Sequence, residues 1–566
     1  MALAIVAVVL AVSGGFRTTV GGFRISARSP LAASIAALIA GAAWLALARK
    51  DGSVAADLEA AWRGLERHAS RAIATIALIA AIVAAVFATR SAAGADASGY
   101  LSQAQLWATG VPFYIDRSLP PAVTGDGWLM SPLGWRPLAD DSPRGEGVQV
   151  PTYPTGLPLL MAVPHAIGGI AGANSVVIAA AALAVWATGM IAGGTAGILA
   201  AVLIAFSPIF LYQSFQPMSD VPVTAAWMLC LLLIRGDNSP RGDKPSGLSA
   251  LAGVACAVAV MIRPNLAPAV IVPFVFARNK PAFAVPVVVA VAVTGFLQFV
   301  FYGSPWVSGY GSAQELFALV NASPNLVRYF SWLIATAPVL LLAPLGFMRV
   351  RSDLHARVLL IFAALVIHLY LIYAVFDHWS YLRFLLPALA IFAVFAAIEL
   401  TAWIERWPAA IRFPIFFALM LGIVAHSLFV ARSFDAFTLK DQFRRVEQVA
   451  AAINHSAPPN AVIVAGEQSG AMRYYTARSI LRWESATPET LPAAIEMLLK
   501  AGRPIYIVLD AWEIELFHQK FPDIGPAELD WPPMLEAGSS HRTLAWNLAD
   551  RWRFQLGQRV NTVRIP

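Results

Sequence analysis

The chain has 566 residues, of which 58% are hydrophobic and only 13% are charged, with a formal net charge of +7. Soluble globular chains carry about 25% charged residues, so this composition indicates a protein that lies mostly in lipid. The basic residues stand between apolar runs and form no cluster, which favours topology signals over nucleic-acid binding. Both cysteines, Cys230 and Cys256, lie inside apolar runs, which disfavours a disulfide framework or a cysteine metal site.

A transmembrane helix needs about 17 to 25 mostly apolar residues. We therefore predict a mainly α, polytopic bundle of 11–13 spans. The first candidate is short, and Arg263-Pro264-Asn265 separates two other short ones. The candidates are 2–16, 31–48, 72–89, 174–192, 195–212, 221–234, 246–262, 265–277, 281–302, 329–348, 358–376, 384–404 and 413–431.

Lys and Arg residues in the short loops predict the orientation. If the spans alternate, one side receives the basic loops, which are 49–71, 235–244, 278–280, 349–357 and 406–412. The positive-inside rule makes that side cytoplasmic. The long loop 90–153 and the tail then lie outside, although the arginines of segment 17–30 depart from the rule.

Three regions follow from this pattern. Residues 1–70 hold extra N-terminal membrane helices and a cytoplasmic loop, 71–432 a transmembrane catalytic domain, and 433–566 a small extracytoplasmic domain. In the tail, β-rich runs alternate with helical runs, which predicts an α/β fold. The β-rich runs are 461–465, 479–483 and 505–509, and the helical runs are 445–454, 471–476 and 491–500.

The outer loop 90–153 is long and rich in aromatic residues, which favours a functional, ordered segment. The apolar run after it, 153–169, is about four helical turns long. That is too short to span a bilayer, so we expect an amphipathic helix on the outer surface.

Two carboxylates stand at the predicted outer edge. Asp96 follows the span 72–89, where it could take the proton that an acceptor loses during glycosyl transfer. The alternative is a solvated loop carboxylate. Asp220 precedes the span 221–234 and is the second candidate, although it could simply cap that helix.

Positive charge is needed where a phosphate leaving group develops its charge. Arg383, Arg328 and Arg263 are the candidates at the outer edge, because the planar guanidinium binds phosphate through two bonds. An interfacial arginine with no ligand is the alternative for Arg383. His378 and Tyr153 complete the predicted substrate-binding set, and no metal site is predicted, although a divalent cation could assist.

Four segments together resemble the GT-C membrane glycosyltransferases, specifically bacterial members of glycosyltransferase family 39 and their relatives, which include protein mannosyltransferases and lipid A aminoarabinose transferases. The segments occur in the family's order between about residues 70 and 432. They are GADASGY (94–100), YPTGLPLL (153–160), SFQPMSDVPVTA (214–225) and HWSYLRFLLPAL (378–389).

The resemblance implies a polyprenyl-phosphate-linked sugar as donor, an unknown envelope acceptor and inverting transfer outside the plasma (inner) membrane. It assigns Asp96 as the first-loop catalytic carboxylate, Asp220 as the second-loop acidic residue and Arg383 as a contact to the carrier phosphate. Ala97 replaces the second acid of the Asp-Glu pair in protein mannosyltransferases, which disfavours protein mannosylation. The alternatives are a transporter or flippase and a polysaccharide ligase or polymerase.

Overall fold

A computed structural model describes residues 16–20, 23–27, 36, 39, 52–125, 127–139, 145–238, 247–522, 524–539 and 541–565. The predicted spans 2–16 and 31–48 lie almost entirely outside these residues. The first described elements are a short antiparallel pair, β1 (Phe16–Val20) and β2 (Phe23–Ala27).

Helices dominate the rest of the described chain up to residue 433. They are α1 (Gly52–Arg67), α2 (Ala69–Phe87), α3 (Ala95–Thr109), α4 (Pro121–Thr124), α5 (Gly156–Ala192), α6 (Gly194–Ala205), α7 (Pro208–Ser214), α8 (Asp220–Asp237), α9 (Leu248–Ile262), α10 (Ile271–Phe276), α11 (Lys280–Tyr302), α12 (Ala313–Leu316), α13 (Ala322–Thr336), α14 (Ala343–Val350), α15 (Leu354–Leu371), α16 (Leu386–Ile404) and α17 (Ala409–Ser433). Short 3₁₀ helices join several of them, at Trp128–Met130, Pro264–Val270, Leu319–Asn321, Pro338–Leu342 and Trp379–Leu385.

Within the described chain, six helical segments are long and apolar enough to cross a membrane: α2, α5, α11, α15, Trp379–Ile404 and α17. Two bent pairs raise the number to eight, with bends of 62° between α6 and α7 and 111° at Pro338. Proline fits both breaks because it lacks the N–H group that a helix interior needs. The protein is therefore the predicted polytopic helical bundle, with six to eight spans here against 11–13 predicted for the whole chain.

The remaining predicted spans differ in length and charge. The candidates 246–262 and 265–277 form helical segments of only Leu248–Ile262 and Pro264–Phe276. Helix α8 carries Asp220, Arg235 and Asp237 at its two ends. Helices α6 and α8 and the Trp379–Ile404 segment are largely enclosed, whereas only 22% of the residues are buried in α2, α11 and α17.

The predicted short surface helix is present as the first part of α5. Gly168 and Gly169 have non-helical backbone angles and separate 156–167 from the rest of α5. At about 1.5 Å per residue, this first part is too short to cross a hydrocarbon core of about 30 Å. It exposes Val163 and Ile167 on one face, while His165 on the other contacts Tyr474 at 2.8 Å.

The outer loop 90–153 is ordered where the structure describes it. Besides α3 and α4 it holds a three-stranded antiparallel sheet of β3 (Tyr114–Ile115), β4 (Trp135–Pro137) and β5 (Val148–Pro151). A further hairpin, β6 (Val307–Ser308) with β7 (Gly311–Ser312), lies in the later outer loop.

The tail forms the predicted small α/β domain. Its helices are α18 (Leu439–Ser456), α19 (Ser469–Thr476), α20 (Thr490–Lys500), α21 (Glu513–Lys520) and α22 (Leu548–Gln555). Its strands are β8 (Val462–Ala465), β9 (Ser479–Arg482), β10 (Ile505–Asp510), β11 (Leu535–Ala537), β12 (Thr543–Asn547) and β13 (Val563–Ile565). They form one mixed sheet in the order β13-β11-β12-β10-β8-β9, in which β8 is parallel to both β9 and β10. The strands after β10 were not predicted.

The outer loop and this domain are joined by direct bonds. The Leu133 N–H group donates to Ser469 Oγ at 3.0 Å, and the Arg473 guanidinium lies 4.0 Å from the centre of the Tyr114 ring. The Ser118 and Ser479 hydroxyl groups are 2.6 Å apart. The loop therefore connects the membrane bundle to the C-terminal domain.

Candidate active site

Asp96 lies in the first turn of α3, directly after the chain leaves α2. Gly94 begins this helix with φ +70°, a backbone conformation that glycine adopts without strain. A carboxylate in the first turn is stabilised by the helix dipole. The Asp96 side chain is 30% exposed, and its Oδ2 accepts a bond of 2.7 Å from Arg383 Nη2. The predicted base therefore meets the predicted phosphate-binding arginine.

Tyr153 covers the same turn of α3. A Cβ added to Gly99 would lie only 2.2 Å from the Tyr153 ring, so glycine is what permits this approach. The Tyr153 ring lies 4.8 Å from that of Tyr100, and its hydroxyl group donates to Asp96. Burial and then the Asp96 charge raise the pKa of Tyr153 well above its usual value. Tyr153 therefore keeps its proton and acts as a donor to Asp96.

Asp220 is the first residue of α8 and is fully buried. Its Oδ1 accepts a bond of 2.6 Å from Arg263 Nη2. The capping alternative is wrong, because Ser219 occupies the cap position and no side-chain capping bond is present there. Instead the carboxylate neutralises an arginine, which a buried charge requires.

Arg263 lies at the break between α9 and the following 3₁₀ helix. Its Nη1 donates to Tyr370 Oη at 2.8 Å and its Nε to Ser219 Oγ at 3.2 Å. The guanidinium also lies 5.0 Å from the centre of the Phe384 ring. The break between the two helices, which the sequence predicted at this position, therefore allows the Arg263 side chain to bond Asp220.

Arg383 connects the two carboxylates. It lies in the 3₁₀ turn Trp379–Leu385, and its Nε is 4.0 Å from Asp220 Oδ1. Among the described residues, Arg383 Nε and Asp220 Oδ2 are buried and have no hydrogen-bond partner. Buried polar atoms are nearly always bonded, so Arg383 Nε is a donor whose hydrogen bond an oxygen atom of a ligand can accept. The Asp96, Asp220, Arg263 and Arg383 side chains are called the ionic cluster below.

Two of the predicted residues lie outside this cluster. Arg328 forms an ion pair with Asp377, whose side chain is 85% exposed. His378 caps the 3₁₀ turn by accepting a bond from the Ser380 N–H group and contacts the Ser380 hydroxyl at 2.8 Å. Burial and the nearby Arg383 lower the pKa of His378. His378 therefore shapes the turn that carries Arg383.

Two cavities that share Asn265 and Leu316 lie beside the break that carries Arg263. The first is lined by side chains that include Tyr153, Asn265, Tyr310 and Tyr373. The second is apolar and includes Phe296, Phe299, Trp306, Leu316 and Phe317. Phe296, Phe299 and Trp306 are exposed, so the second cavity opens where lipid would surround the bundle.

The described residues include no group of three or more His, Cys, Asp or Glu side chains that could hold a metal ion. The acids of the cluster are instead paired with arginines, which suits the binding of an anion.

Residues 287–469 match the model of the Alg9-like mannosyltransferase family. The fold is similar to that of ArnT from Cupriavidus metallidurans bound to undecaprenyl phosphate, with a TM-score of 0.51, 12% identity and coverage of 83% of this chain and 97% of that chain. The family match covers less than half of the chain, and the likeness to ArnT shows a shared fold; both agree with the resemblance found in the sequence. For ArnT from the same organism in the apo state, the TM-score is 0.49 at 14% identity, with the same coverage. No curated protein matches the sequence.

Sequence reasoning missed several side chains of this site. Tyr100 stands one helical turn after Asp96 inside the GADASGY segment, and Asn265 follows Arg263 at the break, so both had a local signal. Tyr370 and Tyr373 lie at and just after the end of α15, shortly before the segment HWSYLRFLLPAL but outside it. Only the folded bundle brings them to Arg263 and the cavity.

Proposed function

We propose that the transferase moves a sugar from a polyprenyl-phosphate carrier to an acceptor on the extracytoplasmic face of the plasma membrane. The observation that carries this proposal is the ionic cluster, because it joins a partly exposed carboxylate, Asp96, to Arg383 next to the buried pair of Asp220 and Arg263. An acceptor hydroxyl group, a sugar and a lipid phosphate can meet there.

The cavity supports a lipid-linked donor. The apolar cavity suits an isoprenoid chain, and the adjoining cavity reaches Asn265, two residues from Arg263, where the carrier phosphate would lie. Arg383 Nε is available to a phosphate oxygen while Nη2 stays bonded to Asp96. The similar fold of ArnT, which was crystallised with undecaprenyl phosphate, supports the same class of carrier.

The reaction would be a single inverting displacement. Asp96 takes the proton from the acceptor hydroxyl group as its oxygen attacks the anomeric carbon. The bond between that carbon and the carrier phosphate oxygen breaks, and the electron pair stays on the phosphate. Arg383 and Arg263 stabilise the charge that develops there, and Asp220 holds both guanidinium groups in place.

The ends of α8 support the orientation. The helix begins at Asp220 in the ionic cluster and ends at Asp237, which accepts a bond from the Arg278 N–H group at 3.0 Å. Arg235, in the last turn, donates to the Ile191 carbonyl oxygen. These predicted cytoplasmic arginines therefore lie at the end opposite the cluster, which supports an outer position for the cluster and the C-terminal domain under the positive-inside rule.

The test is an in vitro transfer assay with a panel of polyprenyl-phosphate sugars and envelope glycans, lipids and proteins as acceptors. Asp96→Asn keeps the size of the side chain but cannot accept the proton, so transfer should fall about 10²- to 10⁴-fold. Asp377→Asn, which changes an exposed carboxylate outside the cluster, is the control. Wild-type turnover in Asp96→Asn would show that the base is elsewhere.

Two additions to this assay separate the alternatives. EDTA with and without added Mg²⁺ shows whether a divalent cation assists transfer. Carrier that crosses the membrane of a vesicle without transfer of its sugar would support the transporter alternative instead.

A further inference from the structure

One loop of the C-terminal domain reaches the turn that carries Asp96. The loop 466–468 follows β8 and precedes α19. Its Gln468 Oε1 accepts a bond of 3.2 Å from the Gly94 N–H group. A Cβ placed on Gly94 would lie 3.5 Å from Glu467 Oε1. Because Gly94 is two residues before Asp96, the Glu467 carboxyl group borders the active site.

The topology of the sheet gives this loop a special position. Strand β8 pairs in parallel with β9 on one side and with β10 on the other. The next strand along the chain, β9, is therefore added on one side of β8 and the following strand, β10, on the other side, so the strand order reverses at β8. In open α/β sheets, ligands bind outside the carboxyl ends of the strands at such a reversal. Here this edge of the sheet faces Gly94 and Asp96.

Hydrogen bonds to residues at and just after the end of β10 fix the position of the loop 466–468. The Glu467 N–H group donates to Glu513 Oε1 at 2.9 Å, and Gln468 Nε2 donates to Asp510 Oδ2 at 2.9 Å. Asp510 ends β10, and Glu513 begins α21. The backbone of Glu467 is therefore fixed by the neighbouring strand, while its side chain is only partly buried.

We propose that Glu467 is an acceptor-binding residue, whose carboxyl group hydrogen-bonds a hydroxyl group of the acceptor beside Asp96. This inference rests on the proposed function. The arginines of the cluster belong to the membrane bundle, whereas Glu467 reaches the turn of Asp96 from the C-terminal domain. A carboxyl group can both accept and, when protonated, donate, which suits the hydroxyl groups of a carbohydrate.

Acidic groups surround Glu467. Burial, followed by the charges of Glu513, Asp510, Glu484 and Asp96, raises its pKa to about 8. Tyr381, in the turn that carries Arg383, also lies within its electrostatic range. At pH 7 Glu467 is therefore mostly protonated and can donate a hydrogen bond. Above pH 8 it loses this donor and brings a second negative charge next to Asp96.

The experiment measures acceptor KM and donor Kd for the full-length protein in nanodiscs. Glu467→Ala should raise the acceptor KM about 3- to 10-fold, as the loss of one hydrogen bond would, with donor Kd unchanged. Glu467→Gln keeps a neutral donor, so it should resemble the wild type at pH 7. It should also lack the rise in acceptor KM that the wild type shows above about pH 8. Glu489→Gln, an exposed acid in the same domain, is the control.

The outcomes are distinct. Wild-type KM and an unchanged pH profile in both Glu467 variants would overturn the inference, and so would an effect confined to donor Kd. If Glu467→Ala does not fold, the pH profile of Glu467→Gln decides. A wild-type protein that transfers no sugar from any donor would overturn the proposed function and this inference with it, whereas active wild type with unaffected variants overturns only the inference.

Discussion

Two groups of acidic side chains face each other across the active site, and they are stabilised in different ways. In the ionic cluster, two carboxylates meet two guanidinium groups, with bonds of 2.6 Å and 2.7 Å. At the carboxyl edge of the tail sheet, Asp510 pairs with Arg445 at 3.2 Å, whereas Glu513 accepts bonds from backbone N–H groups. The first group is balanced entirely by charge, whereas the second combines one ion pair with a buried carboxyl group that only hydrogen bonds hold.

The difference separates two tasks. Fixed, opposite charges suit a site that binds an anion and stabilises its developing charge. Carboxyl groups whose pKa is raised by burial, to about 8 for Glu467 and about 7 for Glu513, exchange protons near neutral pH. The membrane bundle thus supplies ion pairs, and the C-terminal domain supplies carboxyl groups whose pKa lies near neutral pH.

The largest effect should come from breaking the buried pair of the ionic cluster. Removal of one partner leaves the other as an uncompensated buried charge, which costs about 3–5 kcal/mol. Arg263→Gln should therefore destabilise the protein strongly, because Asp220 is fully buried. Denaturant unfolding of the purified protein in detergent measures this. Arg263→Gln combined with Asp220→Asn should be less unstable than the sum of the two single changes.

The exposed pair between Arg349 and Glu399, 2.8 Å apart at the other end of the bundle, is the matched control. Exposed ion pairs contribute about 0–1 kcal/mol, so Arg349→Gln should change stability little. Equal losses for the two arginines would show that the ionic cluster is not energetically special, and the contrast drawn above would fail.

The next effect concerns donor binding. Arg383→Lys keeps the charge but removes the planar fork that bonds Asp96 and, in our proposal, the carrier phosphate. Hydrogen bonds to charged groups contribute about 1.5–3 kcal/mol, so donor Kd should rise about 10- to 100-fold. Equilibrium binding of a polyprenyl phosphate measures this. Arg328→Lys, in the exposed pair with Asp377, should bind the carrier like the wild type. Unchanged donor binding in Arg383→Lys would remove Arg383 from the phosphate site.

A smaller effect should follow from crowding the turn that carries Asp96. In Gly99→Ala the new methyl group would meet the Tyr153 ring at 2.2 Å, so the ring must move away from Asp96. Overpacking of this kind costs about 1–3 kcal/mol, and we expect transfer to fall by about tenfold. Gly110→Ala, at the other end of α3, has open space around its Cβ and controls for a general effect on the helix in spite of its positive φ. Full activity in Gly99→Ala would mean that Tyr153 does not position Asp96.

Local patterns in the sequence predicted much of this arrangement. The length of the hydrophobic runs predicted the helical bundle, and the alternation of β-rich and helical runs in the tail predicted strands β8, β9 and β10. The family resemblance indicated Asp96, Asp220 and Arg383 as site residues. Each of these three residues lies in a short segment, and the residues next to it in the chain place it at the end of a helix. Their pairing with one another depends on contacts between residues as distant as Asp96 and Arg383 in the chain, and periodicity carries no information about such contacts.

Other features left no local signal. Arg328 has the same predicted position at the outer edge as Arg383, and only the fold pairs it with Asp377 and leaves it outside the cluster. In the sequence, Ser219 and Asp220 are both suitable helix caps. Which of them caps α8 depends on whether the helix begins at residue 220 or 221, and the sequence does not fix its start to one residue. Glu467 stands in a tail segment to which the sequence assigned no chemistry, and its approach to Gly94 depends on how the domain docks.

The smallest effect should be a dependence of the tail's stability on pH, and it tests the second half of the comparison. Glu467 and Glu513 have their pKa raised in the folded domain from about 4.5 to about 8 and about 7. The folded state therefore binds more protons than the unfolded state between these values, and stability falls as the pH rises. The contribution is complete below about pH 4.5 and is lost as the pH passes about 8. Because water reaches Glu467, we expect the unfolding temperature of the domain to fall by only about 2–4 °C.

Scanning calorimetry of the full-length protein in detergent measures this dependence of the unfolding temperature on pH, and Glu467→Gln together with Glu513→Gln should flatten it. Glu515→Gln, an exposed acid on the same helix as Glu513, should leave it as in the wild type. Stability that rises with pH across this range, or a slope that survives in the double variant, would show that the two groups do not exchange protons on folding.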